Sequence, residues 1–469
     1  MNGEFRMYGL LLVISILTAG GSILYLSHVA NGSPTEVAKS YPATTSNDAY
    51  QYAQLAKNLA EYGSFSMSTS SPLVPDTFRT PGYPLFAAAL YKLFGTFYAV
   101  LIAQIFLVFL TALLIFKIAG RFMSQGWALA AAIIYLLDPD TMLWASLTMT
   151  DTLFALAFTA FFYVVFFAEI KNLYLRWLLA GIVLAAAVYV RPVAIYVPII
   201  LLPAYAWFYR TQIMAAVRTY CVAALIFIAV FCALLSPWYV RNHDVSGAWG
   251  FASIGSYDLF NHYVPYFLNS VYGTDVGETK NRLEAQVGMP VGGPVSTDLT
   301  YADAMQSTAL HIMLSDPIQY AKYHLSFLPA FFFSPASHEY WRVYNDLLPN
   351  STVAPEPSLA QALNPFSLPL LITVFNNHGW FLVENALWAS VLALALIGLW
   401  RAPGLRRFIG IVLCLALYFA LVTGPLSHAR YRMPVDGLLI VSALATLALL
   451  WDGDISLLVS SRQSASRGG

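Results

Sequence analysis

Charge is what this sequence has least of. Acidic and basic residues together make up 10% of its 469 positions, against about a quarter in an ordinary soluble domain. So few charges cannot solvate the surface of a soluble protein of this length, which leaves lipid to cover much of it. The 24 basic residues are matched by 24 acidic ones, so no field of one sign marks nucleic acid as a partner. Cysteine is scarce too. Cys221, Cys232 and Cys414 lie apart within apolar runs, with neither a disulfide framework nor metal-ligand spacing. No internal repeat is detectable, and a transporter built from related halves would be expected to show one.

Apolar residues are what the sequence has in excess, at 59% with 15% aromatic. A span needs roughly 20 of them in a row. Ten are expected, at about 7–28, 97–119, 126–145, 148–168, 173–190, 193–209, 213–236, 381–400, 406–423 and 433–451. The third is interrupted by Asp138, Pro139 and Asp140. With ten spans, the basic groups at Arg6, Lys117/Arg121, Lys171/Arg176, Arg210/Arg218 and Arg401/Arg406/Arg407 all fall on one side. The positive-inside rule makes that side the cytoplasm. The expected fold is therefore an all-α integral membrane domain over 1–454, followed by a polar, disordered cytoplasmic tail at 455–469.

Two large segments, 29–96 and 237–380, then face outward. The first holds a helical stretch from Asp48 to Tyr62, with Tyr52, Leu55, Ala56 and Leu59 on one face. Two apolar runs too short to span, Leu85–Phe94 and Tyr323–Phe333, read as helices lying in the membrane interface.

A set of charges near the ends of spans collects at the same outer end: Asp48, Arg79, Asp138, Asp140, Asp151, Arg191, Arg241, Arg430 and Arg432, with His243 and His428 among them. Charge at such positions is seldom kept without a use. Arginine's planar fork suits a phosphate, yet the same arginines would serve equally as ion-pair partners for Asp138, Asp140 or Asp151. Asp138 and Asp140 are candidate metal ligands, but Asp-Pro is above all a turn and cap element. Asp48 opens its helix, so it is both a candidate base and a candidate cap.

The segment from Asn47-Asp48 through Tyr52, Ala56, Asn58 and Leu59, then Arg79-Thr80-Pro81-Gly82-Tyr83-Pro84, resembles the GT-C membrane glycosyltransferases. The likeness is to the bacterial branch related to protein O-mannosyltransferases and lipid A aminoarabinose transferase. Echoes follow in order at Thr150-Asp151, Arg191-Pro192, Trp238-Tyr239-Val240-Arg241-Asn242 and Arg430-Tyr431-Arg432. The chain departs from that pattern in having Asn47 beside Asp48, where many members have two acids, and Asp151 where a Glu is common. The resemblance implies transfer of a sugar from a polyprenyl-phosphate donor to a glycan, lipid or protein acceptor. The reaction would take place at the extracytoplasmic face of a bacterial inner membrane, with inversion. Asp48 would be the general base. Arg191, Arg241, Arg430 and Arg432 would hold the donor phosphate. Tyr52, Arg79, Tyr83, Asp140, Asp151, His243 and His428 would line the substrate pocket. The scheme calls for no cofactor and leaves room for a divalent metal. A polysaccharide polymerase or ligase acting on lipid-linked sugars is the nearest alternative reading. A transporter or flippase is the alternative from another class.

Overall fold

In lipid, a backbone must satisfy its own polar groups, and a helix does so within one segment. The long apolar runs accordingly form helices. The structure, a computed structural model, describes residues 3–33, 39–43, 46–290, 298–334, 343, 347, 367–370, 372 and 379–452. Among these residues there is no strand beyond an isolated bridge between Ser66 and Pro75. Seven helices are long and apolar enough to cross a membrane: Gly3–Asn31, Tyr98–Ala119, Leu173–Val190, Val217–Ser246, Leu382–Arg401, Arg406–Leu426 and Met433–Trp451. The pair Gln125–Leu137 and Pro139–Ala145, bent by 55°, would make eight if it is one span. Asp151–Phe166 and Pro192–Phe208 are apolar but shorter. Each expected span thus falls on a helix, although length and composition alone qualify seven or eight.

The bend follows from local sequence. Pro139 has no N–H, and the residue before a proline is pushed to extended geometry, as Asp138 is at φ −66° and ψ 126°. Its carboxylate then caps the next helix, accepting from Thr141 N at 3.2 Å.

Two features pack the bundle. Helices Leu173–Val190 and Val217–Ser246 approach closely because Ala180, Gly181 and Ala223 are small. A Cβ on Gly181 would lie 3.0 Å from the Phe227 carbonyl oxygen. Phe154 and Phe158 each meet Phe419 edge to face, at 6.1 and 5.1 Å, a geometry worth about 0.5–1.5 kcal/mol per pair beyond burial. Helix Met433–Trp451 is the most enclosed of the seven, with most of its length buried. Its first turn carries the charged 428–432 segment into the heart of the molecule.

The expected helix in the first long segment is present as Asn47–Tyr62. The two short apolar runs are helical as well, in Gly82–Phe94 and in Pro317–Leu325 followed by Leu328–Phe333. Residues 254–290 and 298–325 enclose a small core of their own around Phe260, Val264, Leu283 and Met305. This unit is tied to the end of helix Arg406–Thr423. Tyr263 Oη donates to the Thr423 carbonyl at 2.6 Å, and a ring nitrogen of His324 lies 2.8 Å from the Leu421 carbonyl. Gly424, at φ 42°, sits against the His324 ring, where no side chain would fit. The expected tail at 455–469 lies outside the described residues.

Candidate active site

The site begins with a turn. Asp76 accepts from the amides of Phe78 and Arg79 at 3.1 and 2.9 Å, folding 76–79 into a tight bend. Burial pushes the Asp76 carboxyl up to about 6, against the pull of those amides and of Arg79. Arg241 braces the bend from outside, donating to the Asp76 carbonyl at 2.5 Å and to Asn242 Oδ1 at 2.9 Å, with its guanidinium over the Trp238 ring. Just beyond, Gly82 lies against the C-terminal end of helix Leu173–Val190. A Cβ there would sit 2.6 Å from the Tyr189 carbonyl and 2.8 Å from Val190 N. Thr80 Oγ1 donates to the Val190 carbonyl at 3.1 Å. This close approach holds the segment that follows Arg79 against the helix end that precedes Arg191.

Helix Asn47–Tyr62 presents Asp48 to the same point. Its N-cap is Ser46, whose hydroxyl accepts from Ala49 N at 3.1 Å. Asp48 is therefore not needed as a cap. It faces Arg79 Nη2 at 2.5 Å and Arg430 Nη1 at 3.2 Å. Arg79 also donates to Gln51 Oε1 at 2.8 Å and to Tyr52 Oη at 3.2 Å. Arg430 bridges onward, with Nε 3.0 and 3.1 Å from the two Asp151 oxygens. Asp151 is completed by Arg191 Nη1 at 2.6 Å. Three guanidiniums thus meet two carboxylates in one continuous network, leaving one positive charge in excess. Burial tends to raise the Asp48 carboxyl, but Arg79 and Arg430 outweigh it and hold it well below the usual carboxylate range.

A cavity of about 210 Å³ opens beside this network, lined by Ser46, Asn47, Asp48, Trp144, Leu147, Met149, Val343 and Arg430. The Asp48 side chain is 33% exposed. Arg430, by contrast, is pinned over the Trp144 ring at 4.8 Å. Tyr83 supports the floor: its hydroxyl donates to Gln104, whose amide donates to the carbonyls of Ala145 and Leu147 at 2.9 Å. His428 packs edge-on against Tyr431 at 4.8 Å and near Trp144 at 6.4 Å.

Some expected site residues stand elsewhere, which corrects the sequence reading. Arg432 is fully buried and committed to protein groups. Its Nε lies 2.7 Å from Asp436, Nη2 lies 3.6 Å from Asp140, and Nη1 donates to the Phe332 carbonyl at 2.5 Å. Asp140, also fully buried, accepts from Trp144 Nε1 at 3.2 Å and so backs the cavity wall without lining it. Arg241 is engaged at the Asp76 bend. His243 stacks on Trp249 at 4.1 Å, beside Asp244. Asp138 is a helix cap, and no group of three or more metal-ligating side chains occurs among the described residues. The sequence reading missed Gln51 and Trp144. Gln51 lies one helical turn after Asp48, and the i,i+4 spacing of Arg432 and Asp436 was visible, but nothing local marked Trp144.

Residues 78–238 match the family described as dolichyl-phosphate-mannose-protein mannosyltransferase, a stretch that includes Arg79, Asp151 and Arg191. No curated protein matches the chain. Among solved structures, the archaeal oligosaccharyltransferase AglB from Archaeoglobus fulgidus, in complex with an inhibitory peptide and a dolichol-phosphate, is similar at TM-score 0.51 and 13% identity. The match covers 99% of this chain and 52% of that one. A structure of the Archaeoglobus fulgidus oligosaccharyltransferase with Zn and sulfate aligns at TM-score 0.49 and 12% identity, over 98% and 51% of the two chains. The chain thus spans about half the length of the solved structures it resembles. Its fold is similar to that of the archaeal oligosaccharyltransferase AglB, and the mannosyltransferase-family match falls on residues 78–238.

Proposed function

We propose that this chain transfers a sugar from a polyprenyl-phosphate carrier to an acceptor hydroxyl at the extracytoplasmic face of a bacterial inner membrane. The observation that carries the reading is the Arg430 bridge, which joins Asp48 to Asp151 at the edge of a cavity with one positive charge to spare. The mannosyltransferase-family match and the GT-C fold support a lipid-linked donor, and the related archaeal enzyme was solved with a dolichol-phosphate. The alternation of Lys and Arg supports an outward-facing site. Nucleotide sugars are absent there, which favours a lipid carrier.

In this scheme the acceptor oxygen attacks the anomeric carbon as the bond to the phosphate oxygen breaks. The electron pair leaves with the phosphate, on the opposite face, so the anomeric configuration inverts. Arg430 and Arg191 stabilise the charge developing on the phosphate, and Arg79 assists. A phosphate that draws Arg430 and Arg79 to itself also loosens their hold on Asp48. The freed carboxylate is then basic enough to take the acceptor's proton. Arg241 and Arg432 act at one remove, by holding the Asp76 bend and the wall behind Trp144. No cofactor enters the scheme.

The experiment is mass spectrometry of lipid-linked sugars and envelope glycans in cells with and without the protein. Accumulation of one polyprenyl-phosphate sugar, with loss of one glycan modification, is expected. Unchanged lipid-linked sugars would overturn the reading.

A further inference from the structure

Helix Ile254–Asp258 docks on the bend that carries Arg79. Ser253 N donates to the Thr77 carbonyl at 3.1 Å, and Tyr257 packs edge-on against Phe78 at 5.2 Å. This places Asp258 on the Arg79 side of the network, whereas the cavity lies on the Arg430 side. Unlike Asp48 and Asp151, Asp258 forms no ion pair among the described residues. The half-buried rings of Tyr257 and His262 lie 5.7 Å apart beside it.

We propose that Asp258, with the rings of Tyr257 and His262, is the acceptor subsite, and that it takes a glycan acceptor by two adjacent sugar hydroxyls. This rests on the glycosyl-transfer reading above and deepens it by naming the acceptor class. A carboxylate presents two acceptor oxygens, which match a pair of neighbouring hydroxyl donors. Aromatic faces beside it suit the C–H face of a sugar ring. The guanidiniums are committed to Asp48 and Asp151 or to the donor phosphate, so Asp258 is the group left for a second substrate. Asp48 lies between the two sides, where an acceptor hydroxyl would have to meet the anomeric carbon.

The ionised form is the one that accepts both hydroxyls. Burial pushes the Asp258 carboxyl up to about 7, Arg79 and Arg191 pull it down, and Asp48 adds to the rise. The other titratable groups coupled to it are Tyr257, Tyr263 and Tyr431. His262, beside Tyr257, is held below its ordinary value by burial and Lys280, so it stays neutral over the same range. Acceptor affinity should therefore rise as pH increases through about 7.

The test uses the full chain in nanodiscs, with undecaprenyl phosphate as donor-site probe. A mannose trisaccharide, a Ser/Thr-rich peptide and a hydroxylated lipid serve as acceptor probes. Undecaprenyl phosphate should bind wild type and Asp258→Asn equally. The trisaccharide should bind wild type best of the three, and Asp258→Asn and Asp258→Ala about tenfold or more weakly. Its pH dependence near 7 should vanish in Asp258→Asn. Trisaccharide binding unchanged in both variants, or preference for the peptide or the lipid, overturns the acceptor assignment while sparing the donor reading. Failure of undecaprenyl phosphate to bind wild type would instead strike the glycosyl-transfer reading itself.

Discussion

Replacing Asp48 by Asn separates the roles that this residue could have. The substitution keeps size and one acceptor oxygen but removes the charge facing Arg79 and Arg430. Helix capping is untouched, because Ser46 provides it. Arg430 keeps Asp151, and Arg79 keeps Gln51 and Tyr52. With the Asp48 side chain a third exposed, losing two charge-assisted bonds should cost about 1–3 kcal/mol. An amide cannot take a proton at neutral pH, so turnover should fall about 100-fold or more, while undecaprenyl phosphate binding holds or improves. The pH sign is also fixed. The Asp48 carboxyl lies below its unfolded value, so the stability it contributes is full above the ordinary carboxylate range. That contribution is lost only as pH falls well below about 4. Without donor, Asp48 does not titrate near pH 7, whereas burial pushes the Asp258 carboxyl up to about 7. The assays are transfer rate with purified enzyme and lipid-linked donor, and thermal unfolding of the same sample. Near-normal turnover in Asp48→Asn would remove Asp48 from the chemistry.

Arg430→Lys keeps the charge but cannot span Asp48 and Asp151 together. Undecaprenyl phosphate should bind it about tenfold more weakly, and wild-type binding by native mass spectrometry would refute the bridging role. Gly82→Ala puts a methyl against the Tyr189–Val190 backbone. It should lower stability by about 1–3 kcal/mol and activity with it, so an unshifted unfolding temperature would show that the close approach is not required. In a background lacking Cys221, Cys232 and Cys414, cysteines placed at Ser64 and Asp275 should react with an impermeant reagent added outside sealed cells. Those at Arg121 and Arg406 should not, and the reverse pattern would invert the proposed orientation.

Sequence alone determined the all-helical membrane class, because scarce charge and long apolar runs leave no other way to satisfy the backbone. It also located the Asn47–Tyr62 helix by its apolar face, and it gathered Asp48, Arg79, Asp151, Arg191 and Arg430 as candidates from their shared end of the topology. What it left open was pairing. The ionic partners Arg430 and Asp48 lie hundreds of positions apart, and no local pattern says which guanidinium meets which carboxylate. Only the tertiary structure put Arg430 between Asp48 and Asp151 while turning Arg432, two residues on, into a sealed pocket with Asp436 and Asp140. The 3₁₀ turn at Ala429–Tyr431 faces those neighbours in different directions. Asp258 was invisible for the same reason: its place beside Arg79 depends on a distant segment docking at Thr77, where Ser253 N donates to the Thr77 carbonyl, a backbone bond that any sequence could make.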